Sequence, residues 1–166
     1  MYSLGIRVSV PEKLKKGKIF YAVVKLDDNS ELEIIKSHYL VIPSALEVPE
    51  QLAFIRTNFL AIVMQYNIKL AGLRVTETVA KNQIVFRMHI EGVFQELFAN
   101  SSIEKYDLLN IVKMAGLLEM KREDIKSCIQ EKDIFLEIEN WLSYKKEERE
   151  CIIAATSMLQ MEVASC

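Results

Sequence analysis

Residues 4–9 read Leu-Gly-Ile-Arg-Val-Ser, and residues 70–75 read Leu-Ala-Gly-Leu-Arg-Val. Each is a short apolar run with an early glycine and a single charge, Arg7 in the first and Arg74 in the second. Both read as β-strands. Alternation along the first strand sets Ile6 and Val8 on one face and Arg7 on the other. A charge in the middle of a strand that lies inside a sheet must find a partner, because an unpaired buried charge costs several kcal/mol. What surrounds these two arginines therefore decides how the whole chain is read.

Working outward, Pro11 and the run EKLKKGK at 12–18 make a polar connection to a second strand, IFYAVVKL at 19–26. That segment is rich in aromatic and β-branched residues. DDNSE at 27–31 has the composition of a hairpin turn, and EIIKSHYLV at 33–41 follows as a third strand. Three strands joined by short polar turns predict an antiparallel meander. Pro49 then opens a helix, with Glu50 in the first turn where the helix dipole favours an acid. Leu52, Ile55, Phe59, Val63 and Tyr66 recur at spacings of three and four, predicting one apolar stripe over 49–66. After the strand at 70–75, a second helix is predicted over 83–99, with Phe86, Ile90, Val93 and Leu97 buried. YDLLNIV at 106–112 begins a fifth strand, KREDIKSCIQ at 121–130 reads as a short helix, and 147–161 is a last helix with Ile152, Ala155 and Leu159 inward. The order βββαβαβ followed by helices predicts a mixed five-stranded sheet with flanking helices, in one domain over 1–166.

Bulk composition narrows the function classes. A length of 166 residues suits one domain. The net charge of −2 gives no whole-molecule attraction to nucleic acid, so such a role would need a local basic patch. The lysine clusters are Lys13, Lys15, Lys16 and Lys18 in the first connection and the YKKEER run at 144–149. The first could touch phosphates from the sheet edge; the ordinary reading of both is solubilising charge. No run approaches the ~20 apolar residues of a membrane span, and the N-terminus lacks signal-peptide features. Cys128, Cys151 and Cys166 are odd in number and read as reduced thiols in a cytoplasmic protein. His38 and His89 share no zinc-type spacing with them. Met88, Met114, Met120, Met158 and Met161 read as core fillers. Trp141 and Tyr144 suggest an exposed apolar patch.

The element order resembles the ribonuclease H-like superfamily, and several stretches resemble its RuvC-type branch, the Holliday-junction resolvases. LGIRVS is similar to the first strand of that branch, and LAGLRVTE at 70–77 to the fourth, which usually ends in a catalytic glutamate. Residues 110–129 are similar to the segment after the fifth strand, with Lys113, Ala115–Gly116 and Lys121 at its lysine and small-residue positions. EERECIIAATSML at 147–159 is similar to the acidic last helix. The resemblance implies two divalent metals held by about four carboxylates, activating water for phosphoryl transfer. The chain departs from that pattern. The first-strand position holds Arg7 rather than aspartate. The fourth-strand position is Arg74, or Glu77 if the site lies three residues later. Glu147 and Glu150 keep acids on one face of the last helix.

Two guanidinium groups cannot ligate Mg²⁺ and repel it. The expectation is a cluster of Arg7, Arg74, Glu77, Glu147 and Glu150 where the metals would sit, with no cofactor. Two structural arginines paired with nearby glutamates are the plainer reading of the same residues. The function expected is a degenerate, non-catalytic RuvC-like module associated with nucleic acid or a protein partner, as a homodimer. The alternatives are an active Mg²⁺-dependent nuclease using Glu77, Glu147 and Glu150, and a structural assembly subunit.

Overall fold

A computed structural model of the chain describes residues 1–10, 17–27, 31–75 and 85–163. Five strands form one sheet: β1 (Tyr2–Ser9), β2 (Lys18–Leu26), β3 (Leu32–Val41), β4 (Leu70–Arg74) and β5 (Lys105–Leu109). Their order is β3-β2-β1-β4-β5. The first three pair antiparallel as the predicted meander, while β4 lies parallel to β1 and β5 parallel to β4. The strand at 70–75 thus lies beside the first strand, with Gly5 opposite Gly72 and Arg7 opposite Arg74.

The helices are α1 (Val48–Gln65), α2 (Val85–Ala99), α3 (Ile111–Leu117), α4 (Arg122–Ile129) and α5 (Lys146–Val163). The chain turns helical earlier than expected after β5: Asn110 accepts from the Lys113 amide and caps α3, so 111–112 belong to a helix rather than to the fifth strand. Leu4, Ile6 and Val8 face one side of the sheet, where α1 and α2 cover them with Ile55, Phe59, Val63, Ile90, Phe94 and Leu97. The stripe of α2 is rotated from the predicted one. Phe94 and Phe98 are buried, whereas Val93 and Phe86 are only partly covered. The choice among apolar residues that ring this helix was decided by where the sheet lies, which periodicity alone does not say.

The opposite face carries α5. Its residues from Arg149 to Leu159 are all buried, because the sheet lies on one side and α3 and α4 pack on the other. A helix covered on two sides needs no polar stripe, which explains why Ile152, Ala155 and Leu159 are only part of its buried surface. Gly5 and Gly72 make this close approach possible. A Cβ on Gly5 would overlap the Cys151 carbonyl oxygen and lie 2.8 Å from the Ala155 nitrogen; one on Gly72 would lie 2.9 Å from the Ala154 oxygen. Sequence expectations for two side chains are corrected here. Trp141 is buried, its ring tilted against Phe135 at 5.5 Å between centroids and its Nε1 donating to the Cys128 carbonyl at 3.0 Å, so it forms no exposed patch. Met114 and Met158 are core residues, but Met88 is exposed.

Candidate functional site

Because β1 and β4 are adjacent and parallel in register, odd-numbered β1 residues and even-numbered β4 residues point to the same face. That face is the one under α5. Arg7 and Arg74 are therefore neighbours beneath the start of the last helix, and Glu150, one turn into α5, comes down between them. Arg7 Nε lies 3.0 Å from Glu150 Oε2, and Arg74 Nε lies 3.4 Å from Oε1. One carboxylate thus serves two guanidinium groups. Arg7 also donates from Nη1 to the Arg74 carbonyl at 3.3 Å. Arg74 donates to the carbonyls of Val75 and Leu109. The side chains of Arg74 and Glu150 are about 95% covered, and that of Arg7 is 15% exposed. The ionic interactions therefore act largely out of water, where they are strong, and they offset a large desolvation penalty.

Next to Glu150, Cys151 packs against β1. Burial pushes its thiol well above the ordinary value; the Glu150 charge adds to the effect and Arg7 partly opposes it. Burial likewise raises the Cys128 thiol, helped by Asp133 and Asp124. Both cysteines are free and buried.

The cluster opens on one side into a pocket of about 140 Å³ at the end of β1, lined by Arg7, Ser9, Arg87, Lys146, Glu147 and Glu150, with Val8 and Val10. Glu147 and Glu150 do share one face of α5, but only Glu150 reaches both arginines. Glu148, between them, turns away to accept from the Lys145 amide at 2.9 Å and from Ser37 Oγ at 3.2 Å. Glu77, and Lys13, Lys15 and Lys16, lie outside the described residues. Lys18 is described: its Nζ sits 4.4 Å from the centroid of the Tyr39 ring, which Lys145 also approaches at 5.1 Å.

One arginine escaped the sequence reading, and another, Arg149, is buried rather than the solubilising charge expected of the 144–149 run. Arg87 on α2 lines the pocket and donates from Nε to Glu91 at 2.8 Å. Arg149 is buried and donates to the carbonyls of Ile129 and Tyr144 and to Glu131, tying the end of α4 to the start of α5. The i,i+4 spacing of Arg87 and Glu91 was a usable signal for the first. Nothing local marks the second, whose partners are the last carbonyl of α4, the Tyr144 carbonyl and the Glu131 carboxylate.

The described residues at this place do not suit a pair of hard divalent cations. Such ions need several free carboxylate oxygens. Among the described residues no group of three His, Cys, Asp or Glu side chains could hold a metal, and the Glu150 oxygens already face two guanidinium groups.

No family model and no curated protein matches the sequence. Solved structures do match the fold. The chain is similar to a Thermus thermophilus RuvC structure at TM-score 0.69, with 8% identity over 99% of this chain and 97% of that one. It is similar to T. thermophilus RuvC in complex with Holliday junction substrate at TM-score 0.68, with 8% identity over 99% and 96%. No helix among the described residues is long and apolar enough to cross a membrane. Sheet order, helix placement and near-complete coverage of both chains give this protein a RuvC-type, ribonuclease H-like fold.

Proposed function

We propose that the protein is a non-catalytic RuvC-like module that associates with nucleic acid in the cytoplasm, as a homodimer. The observation that carries the reading is the engagement of Glu150 by Arg7 and Arg74 where β1, β4 and α5 converge. An acid held by two guanidinium groups, one buried and one mostly covered, is not available to a metal, and two fixed positive charges oppose a cation's approach. A nucleic-acid partner is favoured because a similar fold is seen in T. thermophilus RuvC in complex with Holliday junction substrate. Lys146 adds positive charge in the pocket, and Lys18 and Lys145 gather positive charge at the Tyr39 ring.

The second reading, an active Mg²⁺-dependent nuclease, draws on Glu147 and Glu150 lining one pocket, with Glu77 as a third acid. A binding and cleavage assay separates the two. Four-way-junction and single-stranded DNA should be bound and left intact with Mg²⁺ or Mn²⁺, and calorimetry should detect no tight divalent-metal site. Cleavage that needs Mg²⁺ and disappears in Glu150→Gln would overturn the non-catalytic reading. Failure to bind any nucleic acid would leave an assembly role.

A further inference from the structure

The pocket at the end of β1 has a composition that the Arg7–Glu150–Arg74 cluster does not account for. Three cations line it: Arg7 from β1, Arg87 from α2 and Lys146 from the first turn of α5. Two carboxylates line it with them, Glu147 and Glu150. Glu150 is already engaged by Arg7 and Arg74, and Glu91 accepts from Arg87 Nε. Glu147 is the acid that stands against an incoming anion. Arg87 Nη2 is buried and has no hydrogen-bond partner among the described residues. A buried guanidinium N–H left unsatisfied is costly, and the cost is recovered when an acceptor arrives. The pocket also lies at the N-terminal end of an 18-residue helix, the positive end of its dipole.

Size decides the class of anion. At about 140 Å³ the pocket has the room of four to five waters. That is too small for a nucleoside, since small-molecule sites run to roughly 300–1,000 Å³, but it suits one tetrahedral oxyanion. Arginine forks match phosphate oxygens in geometry, and a lysine supplies a further point charge. We propose that this pocket binds a single phosphate group, free or at the end of a nucleic-acid strand, through Arg7, Arg87 and Lys146 and without a metal ion. The proposal deepens the non-catalytic reading and rests on it for the strand-borne source.

The test uses the full chain in chelator, with inorganic phosphate as the probe and chloride at matched ionic strength as the control. Calorimetry should show saturable binding to the wild type. Arg87→Gln should weaken it about tenfold, as loss of a charged hydrogen bond does. Lys146→Ala, at an exposed position that folding does not depend on, should weaken it less. Glu147→Gln should strengthen it by removing the opposing charge. Circular dichroism checks that each variant is folded. A strand bearing a 5′-phosphate that binds better than its 5′-hydroxyl counterpart, with the difference lost in Arg87→Gln, assigns the site to strand ends. Phosphate binding that neither strand displaces assigns it to the free ion. Absence of saturable phosphate binding, binding unchanged by both Arg87→Gln and Lys146→Ala, or binding abolished by the chelator would overturn the proposal. Mg²⁺-dependent cleavage would sink the non-catalytic reading and leave the chelator-resistant phosphate site standing, so the two failures are distinguishable.

Discussion

Glu150 is the residue on which the arginine pair depends. Changing it to alanine leaves two guanidinium groups facing each other under α5 with no carboxylate between them. Breaking a buried ion pair from one side costs ~3–5 kcal/mol, and chemical denaturation should read a loss of that size for Glu150→Ala. Arg7→Ala should cost less, ~1.5–3 kcal/mol, because Arg74 still holds the carboxylate. Equal losses in the two variants would show that Arg74 contributes little. A pH dependence belongs to Cys151. Its folded thiol titrates above its unfolded value of 9.0. Stability from that group is therefore complete below pH 9 and falls as pH rises beyond it, because only the unfolded chain then gives up the proton. Thermal melts should decline above pH 9, and less so in Cys151→Ala. At this scale the sequence was informative where strand alternation applied. Alternation separated Arg7 from Ile6 and Val8, whereas the meeting of Arg7 with Arg74 and Glu150 was an implication of the RuvC-type resemblance. Arg87 could not be placed, because its position in the pocket depends on how α2 crosses the end of β1.

At the scale of elements, α5 can lie against the sheet only because Gly5 and Gly72 sit side by side beneath it. The clash at Gly5 is with helix backbone, which cannot swing aside as a side chain can. Gly5→Ala should destabilise by at least the ~1–3 kcal/mol typical of overpacking. It should also lift Glu150 off Arg7, so the loss should exceed that of Gly92→Ala, where a Cβ meets nothing within 4 Å. Comparable midpoints for the two alanine variants would refute the close-approach account. The glycines were visible in LGIRVS and LAGLRV, but their purpose was not, because it depends on a helix about eighty residues beyond the second. The same holds for α5 itself. A one-stripe pattern was read from Ile152, Ala155 and Leu159, while burial on all sides follows from α3 and α4 closing over it.

For the whole molecule, element order carried the topology: a meander followed by β/α alternation leaves β4 to pair parallel with β1, and it does. Order says less about outer surfaces, since the exposed side of a helix is read only after its buried side is known. Here the corrected phase of α2 leaves Val85 and Met88 exposed and Val93 only partly covered. Beside them, α1 and α2 enclose an open apolar groove of about 510 Å³ lined by Val48, Pro49, Leu52, His89, Gly92 and Val93. Glu96, paired with Arg56 at 2.7 Å, gives it a polar rim. An apolar centre with a charged rim is the usual anatomy of an association surface. A standard interface takes roughly 800 Å² from each partner, under a tenth of this chain's 9169 Å². The expected species in light scattering at micromolar concentration has twice the chain mass of 19.1 kDa. Met88→Glu should shift it to the single-chain mass without lowering the thermal midpoint of the fold, because Met88 is half exposed and packs in neither core cluster. A wild-type monomer would remove the dimer from the proposed function. A dimer indifferent to Met88→Glu would move the interface off this face, leaving the groove to a different partner.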